Sequence, residues 1–143
     1  MVPGLTPSLP ATFWQAALRG IRSRCPRCGE APLFRKWLKP LDACPHCGVD
    51  WSPQRADDFP AYIAIIVTGH LMAPLIIALS KDFDLGPAGM FAILVPLALV
   101  MMLGLLQPSK GAVIAAQWWY GLHGFSKERL PENEGTEAGS DQV

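Results

Sequence analysis

The sequence predicts a mainly α membrane protein: a two-helix transmembrane hairpin, with a small cysteine-paired module ahead of it and interfacial helices on either side. Three observations carry this. Two uncharged apolar runs are separated only by the six residues KDFDLG. Four cysteines fall in two CPxCG pairs. The charges sum to zero but are spread unevenly along the chain.

The first run, FPAYIAIIVTGHLMAPLIIALS, covers residues 59–80, and the second, PAGMFAILVPLALVMMLGLLQ, covers 87–107. About 20 such residues cross a hydrocarbon core of about 30 Å as a helix. The expected layout is therefore a span at 58–80, a short external loop at 81–86 and a second span at 87–107. Half of the 143 residues are hydrophobic and 17% are charged, against about 25% in soluble domains. The roughly 100 residues outside the runs are too polar to wrap two such helices as a soluble core. The first run also starts too far along the chain for a secretory signal.

Orientation follows from the Lys and Arg counts. Eight precede the first span, one lies between the spans and three follow the second. The positive-inside rule then places both termini in the cytoplasm and KDFDLG outside. Tyr62 suits an interfacial anchor. A zero net charge gives no global field toward nucleic acid, so no nucleic-acid partner is expected.

The cysteines are Cys25 and Cys28 in CPRCGE and Cys44 and Cys47 in CPHCGVD. Two such pairs 15 residues apart match the spacing of a tetrahedral S4 metal site. Gly29 and Gly48 follow the pairs and tolerate positive φ, which turns backbone N–H groups toward the sulfurs. Zinc suits such a site, with a single iron, as in rubredoxin-like proteins, as the alternative. Four thiolates leave no open coordination position, so the metal is expected to be structural and to fold a zinc-ribbon-like module at 25–52. Leu33, Phe34, Trp37 and Leu38 are expected to pack near it, and His46 to face solvent.

Upstream, residues 1–11 hold three prolines and read as disordered. Residues 12–24 read as a short amphipathic helix with Thr12 as N-cap and Phe13, Ala17, Leu18 and Ile21 on one face. It would lie on the membrane with Arg19, Arg22 and Arg24 toward anionic lipid, or else dock on the cysteine module. Asp57 and Asp58 stand before the first span, where they suit capping of its helix or, alternatively, ligation or proton exchange at the membrane surface. Pro60 fits the first helical turn. After the second span, Pro108 and Ser109 read as a helix break, and 109–122 as a returning interfacial helix with Trp118 and Trp119 at headgroup level. His123 is expected to be exposed. The tail, 125–143, is rich in Glu and Gly and reads as disordered.

His70 falls at the midpoint of the first run. A polar group there is costly and raises a functional question. Pro74 leaves the carbonyl of His70 without its helical donor, and Pro96 does the same for Ala92. Gly69 and Thr68 allow close helix approach. The ring is expected to bond a carbonyl within the hairpin or a partner, with a haem or metal ligand role and a proton relay as alternatives.

The arginine-rich lead-in, the two CPxCG pairs, the acidic pair before FPA and the two spans, in that order, resemble the bacterial membrane proteins grouped as domain of unknown function 983. The resemblance covers about residues 17–120. Where members carry Gly-Asp before the span, this chain has Asp57-Asp58. It implies the bacterial inner membrane and a partner among cytochrome c oxidase subunits or their assembly factors, and it supplies no catalytic residue. The expectation is a non-enzymatic accessory protein, with homo-oligomers allowed.

Overall fold

A computed structural model describes residues 9–83 and 85–126. The elements are helix α1 (Phe13–Ile21), strands β1 (Phe34–Lys36) and β2 (Lys39–Pro40), and helices α2 (Phe59–Asp82) and α3 (Pro87–Tyr120). The strands pair antiparallel, Phe34 with Pro40 and Lys36 with Lys39. Of the disorder expected at 1–11 and 125–143, residues 1–8 and 127–143 lie outside the described residues, whereas Pro10 is fully buried and the Ala11 N–H donates to Gln15 Oε1 at 2.7 Å.

Helices α2 and α3 are long and apolar enough to cross a membrane. At 1.5 Å per residue, the 24 residues of α2 span about 36 Å and the 34 of α3 about 51 Å. The second helix therefore overshoots a hydrocarbon core of about 30 Å by about 20 Å. The α2 face that meets α3 is Pro60, Ala64, Thr68 and Met72, one residue per turn. Asp82 ends α2, so the connection is shorter than the expected loop at 81–86.

The expected break at Pro108 does not occur, because α3 continues through Pro108 to Tyr120, where Gly121 caps it at φ 65°. A proline inside a helix costs about 3 kcal/mol. Here the helix beyond it buries Ser109, Gly111, Val113, Ile114, Ala115, Gln117 and Trp118, and burial of even one large apolar side chain contributes about 1.5–3 kcal/mol. Residues 109–122 are thus no interfacial helix. They form a post that rises from the membrane segment into the cysteine module. Trp118 is accordingly not at headgroup level but in the module core, edge-on to Trp51 at 6.4 Å. Phe125, placed by sequence in the disordered tail, is buried 5.8 Å from the Trp51 ring.

Helix α1 stands against this post. Thr12 caps it as expected, its hydroxyl accepting from the Gln15 N–H at 3.3 Å. Its buried residues are the small ones, Ala16, Ala17 and Gly20, while Leu18 and Ile21 are largely exposed. Gly20 meets Gly111 so closely that a Cβ on either would strike the carbonyl of the other. Phe13 reaches Trp119 and Tyr120, and Ser23 reaches Gln107. These pairings make α1 antiparallel to the post, not flat on the membrane. The two small-residue pairs, Ala16 with Gly20 and Gly111 with Ala115, each four residues apart, allow the close approach.

Candidate metal centre

Each cysteine pair builds the same turn. The N–H of Gly29 donates to the Cys25 carbonyl at 2.8 Å, and that of Gly48 to the Cys44 carbonyl at 2.9 Å. Both glycines hold the positive φ that the sequence suggests, 74° and 72°. The chain then doubles back, with the Cys25 N–H donating to Ala31 and the Cys44 N–H to Val49. Two equal knuckles thus face each other.

Their four sulfurs lie within 4.8 Å of one another. Cys25 Sγ and Cys47 Sγ are 3.8 Å apart, as are Cys28 Sγ and Cys44 Sγ. A disulfide needs about 2.05 Å. A tetrahedron with metal–sulfur bonds of about 2.3 Å has edges of about 3.8 Å. The donor set and spacing fit Zn²⁺, held by Cys25, Cys28, Cys44 and Cys47, and a bound ion would cross-link the two knuckles.

The electrostatics agree with a cation site. Burial pushes the Cys25 thiol up, reinforced by repulsion from Cys47, Cys28 and Cys44, against a lowering backbone hydrogen bond at Cys28. Burial also raises Cys47, against lowering hydrogen bonds from Val49 and Arg27. At Cys28 burial opposes the thiolate, but backbone hydrogen bonds from Ala31 and Glu30 outweigh it and bring the thiol down to about 6. A divalent cation turns the mutual repulsion of four thiolates into attraction.

Basic side chains brace the knuckles. Arg19 Nη1 donates to the Arg27 carbonyl at 3.0 Å, Arg24 Nη1 to the Glu30 carbonyl at 3.4 Å and Arg27 Nη1 to the Cys47 carbonyl at 3.4 Å. Arg19 and Arg24 therefore turn to the module and not to lipid. Leu33 and Phe34 pack in its core as expected, but Trp37 is 57% exposed at the tip of the β-turn, and Leu38 is half-buried at φ 60°. A two-residue turn points its side chains away from the sheet, so Trp37 cannot reach the sulfurs. His46 and His123 are exposed.

Gln117 fixes the module to the post. Its Oε1 accepts from the Arg55 N–H at 2.9 Å and its Nε2 donates to the Arg55 carbonyl at 2.8 Å. Both groups of one residue are thereby paired by a buried side chain. Sequence reasoning missed this glutamine. Its signal was a lone amide among the apolar residues that follow Lys110.

The remaining sequence candidates do not join the metal centre. Asp57 and Asp58 are exposed. Asp58 occupies the N-cap position of α2 but makes no side-chain capping bond. Instead its carbonyl accepts from Ala61 and Tyr62. Tyr62 is exposed. His70 is exposed too, turned away from the Thr68 and Met72 face that meets α3. Its Nδ1 lies 2.8 Å from the Ile66 carbonyl, one turn back in its own helix. The ring thus uses neither carbonyl freed by Pro74 or Pro96. Because a carbonyl only accepts, Nδ1 carries the proton and Nε2 of the neutral ring is a bare acceptor.

A two-span hairpin whose second helix carries a four-cysteine module defines the class: a helical membrane protein with a candidate structural metal site. The chain matches the family described as Protein of unknown function (DUF983) over residues 34–118, and it belongs to that family. The match includes Cys44, Cys47 and both apolar helices and begins after Cys25 and Cys28, so the first knuckle is brought into the site by geometry. No curated protein and no solved structure matches the chain.

Proposed function

We propose that the chain is a non-enzymatic accessory protein of the bacterial inner membrane, with both termini cytoplasmic and a zinc-held module as a docking platform. On this reading it assists assembly of a respiratory complex, cytochrome c oxidase being the one that the family resemblance implies. The observation that carries the reading is the continuity of α3. One helix runs from the membrane segment into the buried core of the module, so the platform is rigidly tied to the hairpin. Four sulfurs at tetrahedral spacing suit a structural ion with no open coordination position. Gentle solubilisation of native membranes is expected to yield stoichiometric zinc together with oxidase subunits or assembly factors. Recovery of the protein alone would overturn the assembly role, and iron at one equivalent would replace zinc.

The His70 hydrogen bond favours a second reading, in which this residue ligates haem or copper. With Nδ1 held by Ile66, Nε2 presents its lone pair outward, the arrangement a metal-binding imidazole needs. Protein from metal- and haem-replete cells would then show visible absorbance or copper, lost in His70→Ala. A colourless, copper-free preparation would sink this reading.

A further inference from the structure

The tip of the β-turn has no role in the metal centre. Residues 31–41, APLFRKWLKPL, hold three cations and no acid. Arg35, Lys36 and Lys39 are all exposed and flank the 57% exposed Trp37. The fold holds the ring out: Lys36 pairs with Lys39, which leaves Trp37 and Leu38 as a two-residue turn with Leu38 at φ 60°. Arg19, Arg24 and Arg27, by contrast, are bonded to carbonyls of the knuckles.

The position of this tip is fixed by a short chain of hydrogen bonds from the end of the second apolar run. Gln107 Nε2 donates to Ser23 Oγ at 3.0 Å, and the Ser23 carbonyl accepts from the Leu33 N–H at 2.9 Å. Leu33 is fully buried, so this link ties the start of β1 to the end of the second apolar run. Trp37 follows four residues later and lies within about 13 Å of that point at about 3.3 Å per residue. The headgroup layer adds about 6 Å to each side of the hydrocarbon, and Trp, Lys and Arg side chains extend well beyond their own backbone. An amphipathic ring ringed by cations is the chemistry that anionic headgroups take up.

We propose that the Arg35–Lys39 turn is a lipid-binding element: Trp37 enters the headgroup layer of the adjoining leaflet while Arg35, Lys36 and Lys39 contact anionic lipid. The turn then holds the metal module against the membrane. The nearest acids in sequence, Glu30 and Asp42, lie outside the turn at its two ends.

The test uses the full zinc-loaded chain in vesicles of neutral phosphatidylcholine, with or without anionic phosphatidylglycerol, and containing lipids brominated near the headgroup. The difference between wild-type and Trp37→Phe fluorescence isolates the Trp37 signal. It is expected to be blue-shifted and quenched in the anionic vesicles. Neutralising Arg35, Lys36 and Lys39 to Gln is expected to weaken contact by about fivefold for each cation removed, with zinc content unchanged. The wild type alone gives a second readout: at 1 M salt, where screening acts over about 3 Å, anionic and neutral vesicles should become alike. Trp37 emission that stays water-like and unquenched in anionic vesicles would overturn the proposal. Equal quenching in neutral and anionic vesicles at low salt would overturn it too. Trp37 unquenched in vesicles but shielded from a soluble quencher in native membranes would assign the turn to a protein partner instead.

Discussion

The two halves of α3 are one helix in two solvents. From Pro87 to Pro108 it buries no residue against the protein, whereas from Ser109 to Tyr120 it buries seven of twelve. The first half is built from Leu, Met, Val and Phe, which lipid covers. The second buries Ser109, Gly111, Ala115 and Gln117 beside Val113, Ile114 and Trp118, a mix of small, polar and large residues packed against other protein. Glycine shows the contrast most directly. Around Gly104 there is open space, whereas Gly111 is pressed against Gly20. Apolarity alone therefore does not say what covers a helix, and residue size and amide placement do.

The largest break in this comparison should come from the metal. On the proposed zinc reading, chelation of the metal, or Cys44→Ser, is expected to unfold the module, because structural zinc contributes about 10–16 kcal/mol of apparent binding energy to such small folds. Protease cleavage should then appear within 25–55, and hydrogen exchange should rise along 109–120. The segments 59–82 and 87–108 should stay protected by the bilayer. Loss of protection in both halves together would show that the hairpin depends on the module. Acid should act in the same direction, because protons compete with zinc for the thiolates.

A smaller effect tests the seam. Gly111→Leu or Gly20→Leu should cost about 3 kcal/mol, since the added side chain meets backbone and not a movable group. Gly104→Leu, in the lipid-facing half, should change stability by less than about 0.5 kcal/mol. Equal effects at 104 and 111, read as unfolding midpoints of the module in detergent, would erase the distinction between the halves. Gln117→Leu comes next. It leaves the Arg55 N–H and carbonyl without their partner at a part-buried contact and should cost about 1 kcal/mol, with the metal content unchanged.

How much of this was legible in the sequence follows from the same physics. The knuckles are local: Cys25 to Gly29 and Cys44 to Gly48 fix their own turns, so their chemistry and spacing could be read directly. The two apolar runs were legible because a bilayer imposes a length. The post was not. Pro108 and Ser109 carry a genuine stop signal, and only long-range burial by α1 and the knuckles overrides it. Phe125 was misjudged for the same reason, since its partner Trp51 lies 74 residues earlier (125 − 51). Trp37 erred the other way. An aromatic beside a metal module invites packing, yet the turn register of Lys36 with Lys39 puts it outside.

The smallest expected effect concerns His70. It lies in the hairpin, its Nδ1 bonds Ile66 of its own helix, and its side of α2 faces away from α3. His70→Ala should therefore leave zinc content and module stability unchanged within about 0.5 kcal/mol. The Ile66 carbonyl keeps its place in the helical ladder, so little is lost locally. What the substitution removes is the outward Nε2 acceptor near the middle of the first span. An unpaired acceptor facing lipid is costly, so the residue is worth keeping only if something outside this chain meets it. If His70→Ala leaves the isolated protein intact but lowers recovery of its membrane partner, the lone pair serves an interhelical contact. If it lowers metal or haem content with the partner retained, the ligand role holds. A destabilised module would instead tie the membrane half of α3 to the post more tightly than their burial suggests.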